Sequence, residues 1–161
     1  MLFCQLFGEA DWTYTYLIAD FSIKEAILVD PMAKHVERDL RILKELGLTL
    51  RYCLATHIRT DHVTAIGKLG KATGCLSIVP ASAQATWVDR FMQDGEVLQI
   101  GDVRIEAIAT VEHIDRCMAY LVNGTHLLTR DSLFEVAGVP TFKVATQVRR
   151  ARNFTILELI A

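Results

Sequence analysis

The chain has little excess charge of either sign. Its 17 Lys and Arg stand against 19 Asp and Glu, for a net charge of −2. Without a basic footprint no nucleic-acid partner is expected. No apolar stretch reaches the ~18 to 20 residues of a membrane span, so no membrane partner is expected either. The start, Met1-Leu2-Phe3-Cys4-Gln5, lacks the basic flank and small-residue cleavage site of a secretory leader. The four cysteines (Cys4, Cys53, Cys75 and Cys117) form no Cys-x-x-Cys pair. That argues against a disulfide framework and for a reduced, cytoplasmic protein with buried thiols. No repeat or low-complexity linker divides the chain, and its length suits one domain.

What is present is an ample apolar complement, 52% of residues, in short segments. Leu2 to Leu6, Tyr14 to Ala19 and Ala26 to Val29 read as strands, the last closed by Asp30-Pro31. Trp12, Tyr14 and Tyr16 read as core and strand packing. Val36, Leu40, Leu43 and Leu46 share one helical stripe, with Gly47 as its C-cap. Leu50 to Ala55 reads as a strand, Ala65 to Thr73 as a helix stopped by Gly74, and Leu76 to Val79 as a strand ended by Pro80. Val97 to Ile100 and Val103 to Ile108 flank Gly101-Asp102. Met118 to Val122 and Thr125 to Leu128 flank Asn123-Gly124, the strongest hairpin signal in the chain. Strands mixed with helices and joined by hairpins predict a layered α/β or α+β domain.

The densest chemistry is Thr56-His57-Ile58-Arg59-Thr60-Asp61-His62, just past a strand end. Imidazoles beside a carboxylate suit Zn or Fe. His113 and Asp131 also follow strands, those ending near Ile108 and Leu128. Ligands gathered from several strand ends can converge on one sheet edge. His35 and His126 lack ligand-rich surroundings and read as ordinary polar or packing residues.

The motif resembles the His-x-His-x-Asp-His signature of the metallo-β-lactamase superfamily. The chain is similar in particular to its persulfide (sulfur) dioxygenase branch, close to glyoxalase II. Phe3-Cys4-Gln5-Leu6-Phe7, Thr13 to Asp20, Ala26 to Pro31, Glu37-Arg38-Asp39-Leu40 and Leu46-Gly47-Leu48 carry the likeness, which runs from residue 2 to about 134. The resemblance implies an αββα sandwich of which only the N-terminal part is complete. It implies one Fe(II) per chain, held by His57, His113 and Asp131 as a 2-His-1-carboxylate triad, with Zn as the alternative. It implies glutathione persulfide, or another glutathione thioester-like small molecule, as substrate. Asp61 and His62 would bind a second metal in dinuclear relatives. No histidine follows His126 to complete that shell, so Asp61 is expected at most to support the first ligands.

The departures gather at the site. Arg59 stands where the signature has a histidine, Val111-Glu112 where the family has Pro-Gly, and Arg130 where it has a glycine before the aspartate. Two guanidiniums near a cation weaken its binding, or pair with Asp61 and Asp131. Three functions follow: an iron-dependent persulfide dioxygenase with impaired activity, a glyoxalase II-like or lactamase-like hydrolase, and a non-catalytic remnant.

The likeness stops after Phe134, so residues 1–134 read as a partial metallo-β-lactamase-like domain and 135–161 as a divergent tail. The family continues with Gly-Arg-Thr-Asp-Phe-Gln and a second half of the sandwich. One permitted codon string for residues 138–148, read one frame over, gives Arg-Thr-Asp-Phe-Gln-Gly-Gly-Asp-Pro-Gly. The tail is therefore expected to be an out-of-frame reading of the ancestral gene. A tail not selected in this frame would leave apolar strand faces exposed or paired with another copy, as a homo-oligomer.

Overall fold

The computed structural model describes residues 1–9, 13–58, 60–83, 85–110, 117–129, 135–136 and 139–140, with backbone alone for 60–64, 135–136 and 139–140. Alternating and apolar segments at the start form β1 (Leu2–Gly8), β2 (Thr13–Asp20) and β3 (Glu25–Val29), each antiparallel to the last. A short turn of 3-10 helix, Ala33–His35, leads into α1 (Val36–Glu45). The helix stops as its sequence predicts. Gly47 sits at φ 64°. Its N–H donates to Lys44 O at 3.1 Å, and Leu48 N–H donates to Leu43 O at 2.9 Å. Those two bonds are a Schellman motif, and glycine is the residue that enters its left-handed position without strain.

The chain then runs through β4 (Thr49–Leu54), α2 (Thr60–Thr73), β5 (Leu76–Pro80) and β6 (Arg90–Met92). β3, β4, β5 and β6 are parallel neighbours, so the larger sheet has the order β1-β2-β3-β4-β5-β6. The smaller sheet is antiparallel, with β7 (Val97–Ile100), β8 (Val103–Thr110), β9 (Cys117–Val122) and β10 (His126–Leu128) in the order β10-β9-β8-β7. Asn123 and Gly124 both take positive φ, 48° and 69°. Thr125 N–H closes the turn on Val122 O at 3.0 Å, and pairing resumes one residue later than expected, at His126. β11 (Glu135–Val136) and β12 (Val139–Pro140) pair with each other.

Burial follows from side-chain alternation. Ile18, Ile27, Val29, Leu54, Ile78 and Met92 of the larger sheet pack against Ile105, Tyr120 and their neighbours on the smaller one. The opposite face of the larger sheet, with Leu17, Leu28, Cys53 and Val79, packs against Leu43 of α1 and Ile66 and Leu69 of α2. The described layers are thus helix, sheet, sheet, an α+β arrangement as expected.

Two details differ from the sequence reading. α2 begins at Thr60 rather than Ala65. Its first residues, Thr60-Asp61-His62, are polar in sequence and carry no apolar signal; the apolar stripe is read from Ala65 on. Asp61 and His62 therefore belong to a helix rather than a loop. β6 was not anticipated, because in three residues only Met92 is buried. On β9, Ala119 and Leu121, opposite the sheet-to-sheet core, are buried too.

Candidate metal centre

Parallel strands end on one side, and sites in such sheets gather beyond their C-terminal ends. Here β3 ends at Val29, with Asp30 directly after it, and β4 leads into Ala55, Thr56 and His57. Asp30 takes φ 52°, a left-handed conformation that Asp tolerates better than most residues. Its N–H donates to Leu54 O at 2.8 Å, and its carbonyl accepts the Thr15 hydroxyl at 3.1 Å. The turn aims the carboxylate along the edge at β4. Thr56 N–H donates to Oδ1 at 2.8 Å and the Thr56 hydroxyl donates to Oδ2 at 2.8 Å.

The next contact fixes a tautomer. Thr56 Oγ1 lies 3.0 Å from His57 Nδ1. A hydroxyl has one proton to give, and that of Thr56 goes to Asp30. Towards the ring it can only accept, so Nδ1 carries the hydrogen and Nε2 of the neutral imidazole carries the lone pair. A carboxylate behind a histidine also raises its basicity as a ligand. Asp30, Thr56 and His57 are all buried.

Both sheets clamp this segment. Ala55 N–H donates to Ile78 O on β5 at 3.0 Å, and Met118 N–H on β9 donates to Thr56 O at 2.8 Å. The fully buried Tyr120 donates its hydroxyl to Ala55 O at 2.8 Å. Burial first, and the Asp30 charge second, push the Tyr120 phenol far above its usual value, so it stays a donor.

Among the expected site residues, His57 is the one whose side chain is described. Asp61 and His62 lie on the first turn of α2, with side chains outside the described residues. Arg59, His113, Arg130 and Asp131 lie outside them altogether, as does Trp12. Among the described residues no three His, Cys, Asp or Glu side chains come together. The strand ends that bracket the other two expected ligands are described. Thr110 and Cys117, on either side of His113, pair with each other, and the next residue, Met118, holds Thr56. Leu128, three residues before Asp131, pairs with Tyr120, which holds Ala55. A cleft of about 300 Å³ opens beside this edge, lined by Ala81, Ser82, Gln93, Asp94, Thr110 and Met118 among others.

His126 is a packing residue, as expected: its ring stacks on Phe3 at 4.3 Å between centroids, and Nδ1 meets Thr125 Oγ1 at 2.9 Å. Tyr16 packs on the core between the sheets, whereas Tyr14 is exposed against Phe7. Sequence reasoning missed Asp30, Thr56, Met118 and Tyr120. Two signals were there to find: an Asp-Pro closing one strand, and a hydroxyl residue directly before the first histidine.

No protein-family model matches the chain. It is 36% identical over 137 residues, 83% of its length, to the mitochondrial persulfide dioxygenase ETHE1 of Bos taurus, of which it covers 53%. It is 30% identical over 126 residues to a probable hydroxyacylglutathione hydrolase of Schizosaccharomyces pombe, covering 75% of this chain and 49% of that one. The crystal structure of ETHE1 from Myxococcus xanthus superposes with a TM-score of 0.73 at 35% identity, over 79% of this chain and 56% of that one. The chain spans about half the length of the curated relatives it matches. No helix among the described residues is long and apolar enough to cross a membrane.

Proposed function

Since the chain belongs to the metallo-β-lactamase superfamily, in the branch of persulfide dioxygenases and glyoxalase II-like hydrolases, we propose that it is a metalloprotein of the dioxygenase type with impaired activity. His57, His113 and Asp131 would hold one Fe(II). The observation that carries this reading is the Asp30–Thr56–His57 relay, which sets the imidazole proton on Nδ1 and directs basicity to Nε2. The packing histidine His126 meets its preceding threonine in the same way, but that hydroxyl donates to the Val122 carbonyl; at His57 the hydroxyl donates to a carboxylate, the support usual behind a metal-ligating histidine. Two imidazoles and a carboxylate suit Fe(II) and leave positions open for oxygen and a sulfur ligand.

A facial-triad iron, when bound, activates dioxygen. The net reaction converts persulfide, dioxygen and water to thiol, sulfite and two protons. The protein's own share is positional. Asp30 and Thr56 hold His57 in one tautomer and one orientation. Tyr120 and Met118 fix the backbone that carries it. The cleft beside Thr110 and Met118 offers room for a small thiol-bearing ligand of the glutathione type. Arg59 and Arg130 would oppose a cation, or pair with Asp61 and Asp131. The sequence has no Cys-x-x-Cys pair, which supports a reducing compartment such as the cytoplasm.

The test is metal analysis with oxygen uptake. The iron-loaded chain is expected to bind Fe(II) through His57, His113 and Asp131, and to consume oxygen with glutathione persulfide only weakly. A zinc-loaded chain that hydrolyses a glutathione thioester would establish the glyoxalase II-like alternative instead. Binding of neither metal, with the fold intact, would leave the non-catalytic remnant.

A further inference from the structure

Away from the metal edge, the fold brings two thiols together. Cys53 is on β4 and Cys75 directly precedes β5, and their sulfurs lie 3.5 Å apart in the core beneath the helices. The strands enforce this approach, because Tyr52 pairs with Leu76 and Cys53 with Ser77. Cys53 is fully buried, while Cys75 keeps 6% of its surface exposed. We propose that Cys53 and Cys75 are an oxidation site, a thiol pair that a peroxide converts to a disulfide. A disulfide needs its sulfurs at about 2.05 Å, so closure requires a contraction of about 1.5 Å between side chains already in contact.

The chemistry divides between the two residues. Hydrogen bonding from Cys53, with help from Thr73, holds the Cys75 thiol down to about 7, against the opposing effect of burial. The same bond and full burial push the Cys53 thiol up. Cys75 is therefore the less buried residue of the pair and the one whose thiolate is favoured, and the thiolate is the nucleophile. Its sulfur attacks a peroxide oxygen; the O–O bond breaks and water leaves after protonation. The resulting sulfenic acid is attacked by Cys53 sulfur; the S–O bond breaks and a second water leaves. Overall two thiols lose two electrons and two protons to one peroxide, which becomes two waters. Two inert buried thiols would act only as small apolar side chains.

The closed ring would contain Thr56, His57 and the whole of α2. Oxidation would thus tether the segment that carries the metal edge, whether or not a metal is bound there.

The experiment treats the full chain, natively folded, with hydrogen peroxide at neutral pH, then alkylates it unfolded and maps it with trypsin. The expected product joins the peptide Tyr52 to Arg59 with the peptide Ala72 to Arg90. Alkylation of Cys53 and Cys75 falls together, and dithiothreitol restores both, while Cys4 and Cys117 stay alkylated. The urea-unfolded chain treated alike should give mixed pairings, which shows that the fold selects the partner. Cys75→Ser should leave Cys53 fully alkylated. Full alkylation of both thiols in the native chain, a dominant link to Cys4 or Cys117, or Cys75 driven to sulfinic acid with Cys53 untouched would each overturn the proposal.

Discussion

Asp30 grips Thr56 with both carboxylate oxygens, one taking the backbone N–H and the other the hydroxyl, each at 2.8 Å. Twenty-six residues separate them in the chain, yet this pair decides which nitrogen of His57 carries the proton.

Thr56→Val keeps the shape of the residue and removes the relay. The affinity for Fe(II) or Zn(II) is expected to fall about 10- to 100-fold, the usual range for losing the group behind a metal-ligating histidine. Thr56→Ser should restore most of it. Titrations of the folded variants measure this, and unchanged affinity in the valine form would remove the relay from the argument.

Asp20 ties the two sheets together. Its Oδ2 accepts Asp102 N–H at 2.7 Å, and its Oδ1 accepts the N–H and hydroxyl of Ser22 at 2.8 and 2.6 Å. These bonds, the one from Asp102 foremost, hold its carboxyl at about 2. A lowered carboxyl contributes stability above its unfolded value of about 3.9, and that contribution is lost as pH falls towards the folded value. Urea midpoints should therefore drop between about pH 4 and 2, with a shallower drop in Asp20→Asn. Gly101→Ala tests the same junction. The added carbon would overlap Asp20 Oδ2 at a position of φ 49°, and the left-handed backbone alone costs about 1 to 2 kcal/mol.

Tyr120→Phe leaves the buried Ala55 carbonyl without its hydroxyl donor. The expected loss is about 1 to 3 kcal/mol of unfolding free energy. Because the phenol is raised in the folded state, the wild-type chain should also lose stability as pH climbs past the unfolded tyrosine value of about 10. The phenylalanine form should lack that component. Parallel urea titrations at neutral and alkaline pH read both effects.

Arg59→His should raise metal affinity, by removing a like charge and adding a ligand of the family's type. Repulsion of a cation is strongest where water is excluded. If the histidine form binds Fe(II) and Zn(II) no better than wild type, the arginine is not what limits the site.

The chain as written should turn over glutathione persulfide far below the ordinary enzyme range of about 1 to 1000 per second. A reacting atom misplaced by ~1 Å can cost ~100-fold, and residues 135–161 do not continue the family's sequence. Oxygen uptake by the iron-loaded chain measures this. The nucleotide sequence of the locus tests the tail separately: third bases other than those that spell Arg-Thr-Asp-Phe-Gln one frame over would sink the frameshift reading.

Much of the fold was legible because its signals are local. Gly47 at a helix end and Asn123-Gly124 between apolar runs each require a backbone conformation that few other residues adopt. His57 was legible as well, since it follows a buried strand. The first turn of α2 was not, because helix starts show no core-facing period. Nor was the link of Asp30 to Thr56: no pattern in the chain pairs two residues so far apart, and only the parallel register of β3 and β4 brings their ends together. Side-chain convergence of His113 and Asp131 with His57 remains a proposal, supported by the strand ends around them.

The sheets are also consecutive in the chain: β1 to β6 come from residues 2–92 and β7 to β10 from 97–128. Among the described residues no strand of one is threaded into the other. During synthesis the first sheet and both helices can therefore leave the ribosome and assemble before the second sheet is made. In that interval Ile18, Ile27, Val29, Leu54, Ile78 and Met92 form one uncovered apolar surface, which the later strands must find before a chaperone or a neighbouring nascent chain does. The order of translation thus sets the moment at which this protein is most open to aggregation.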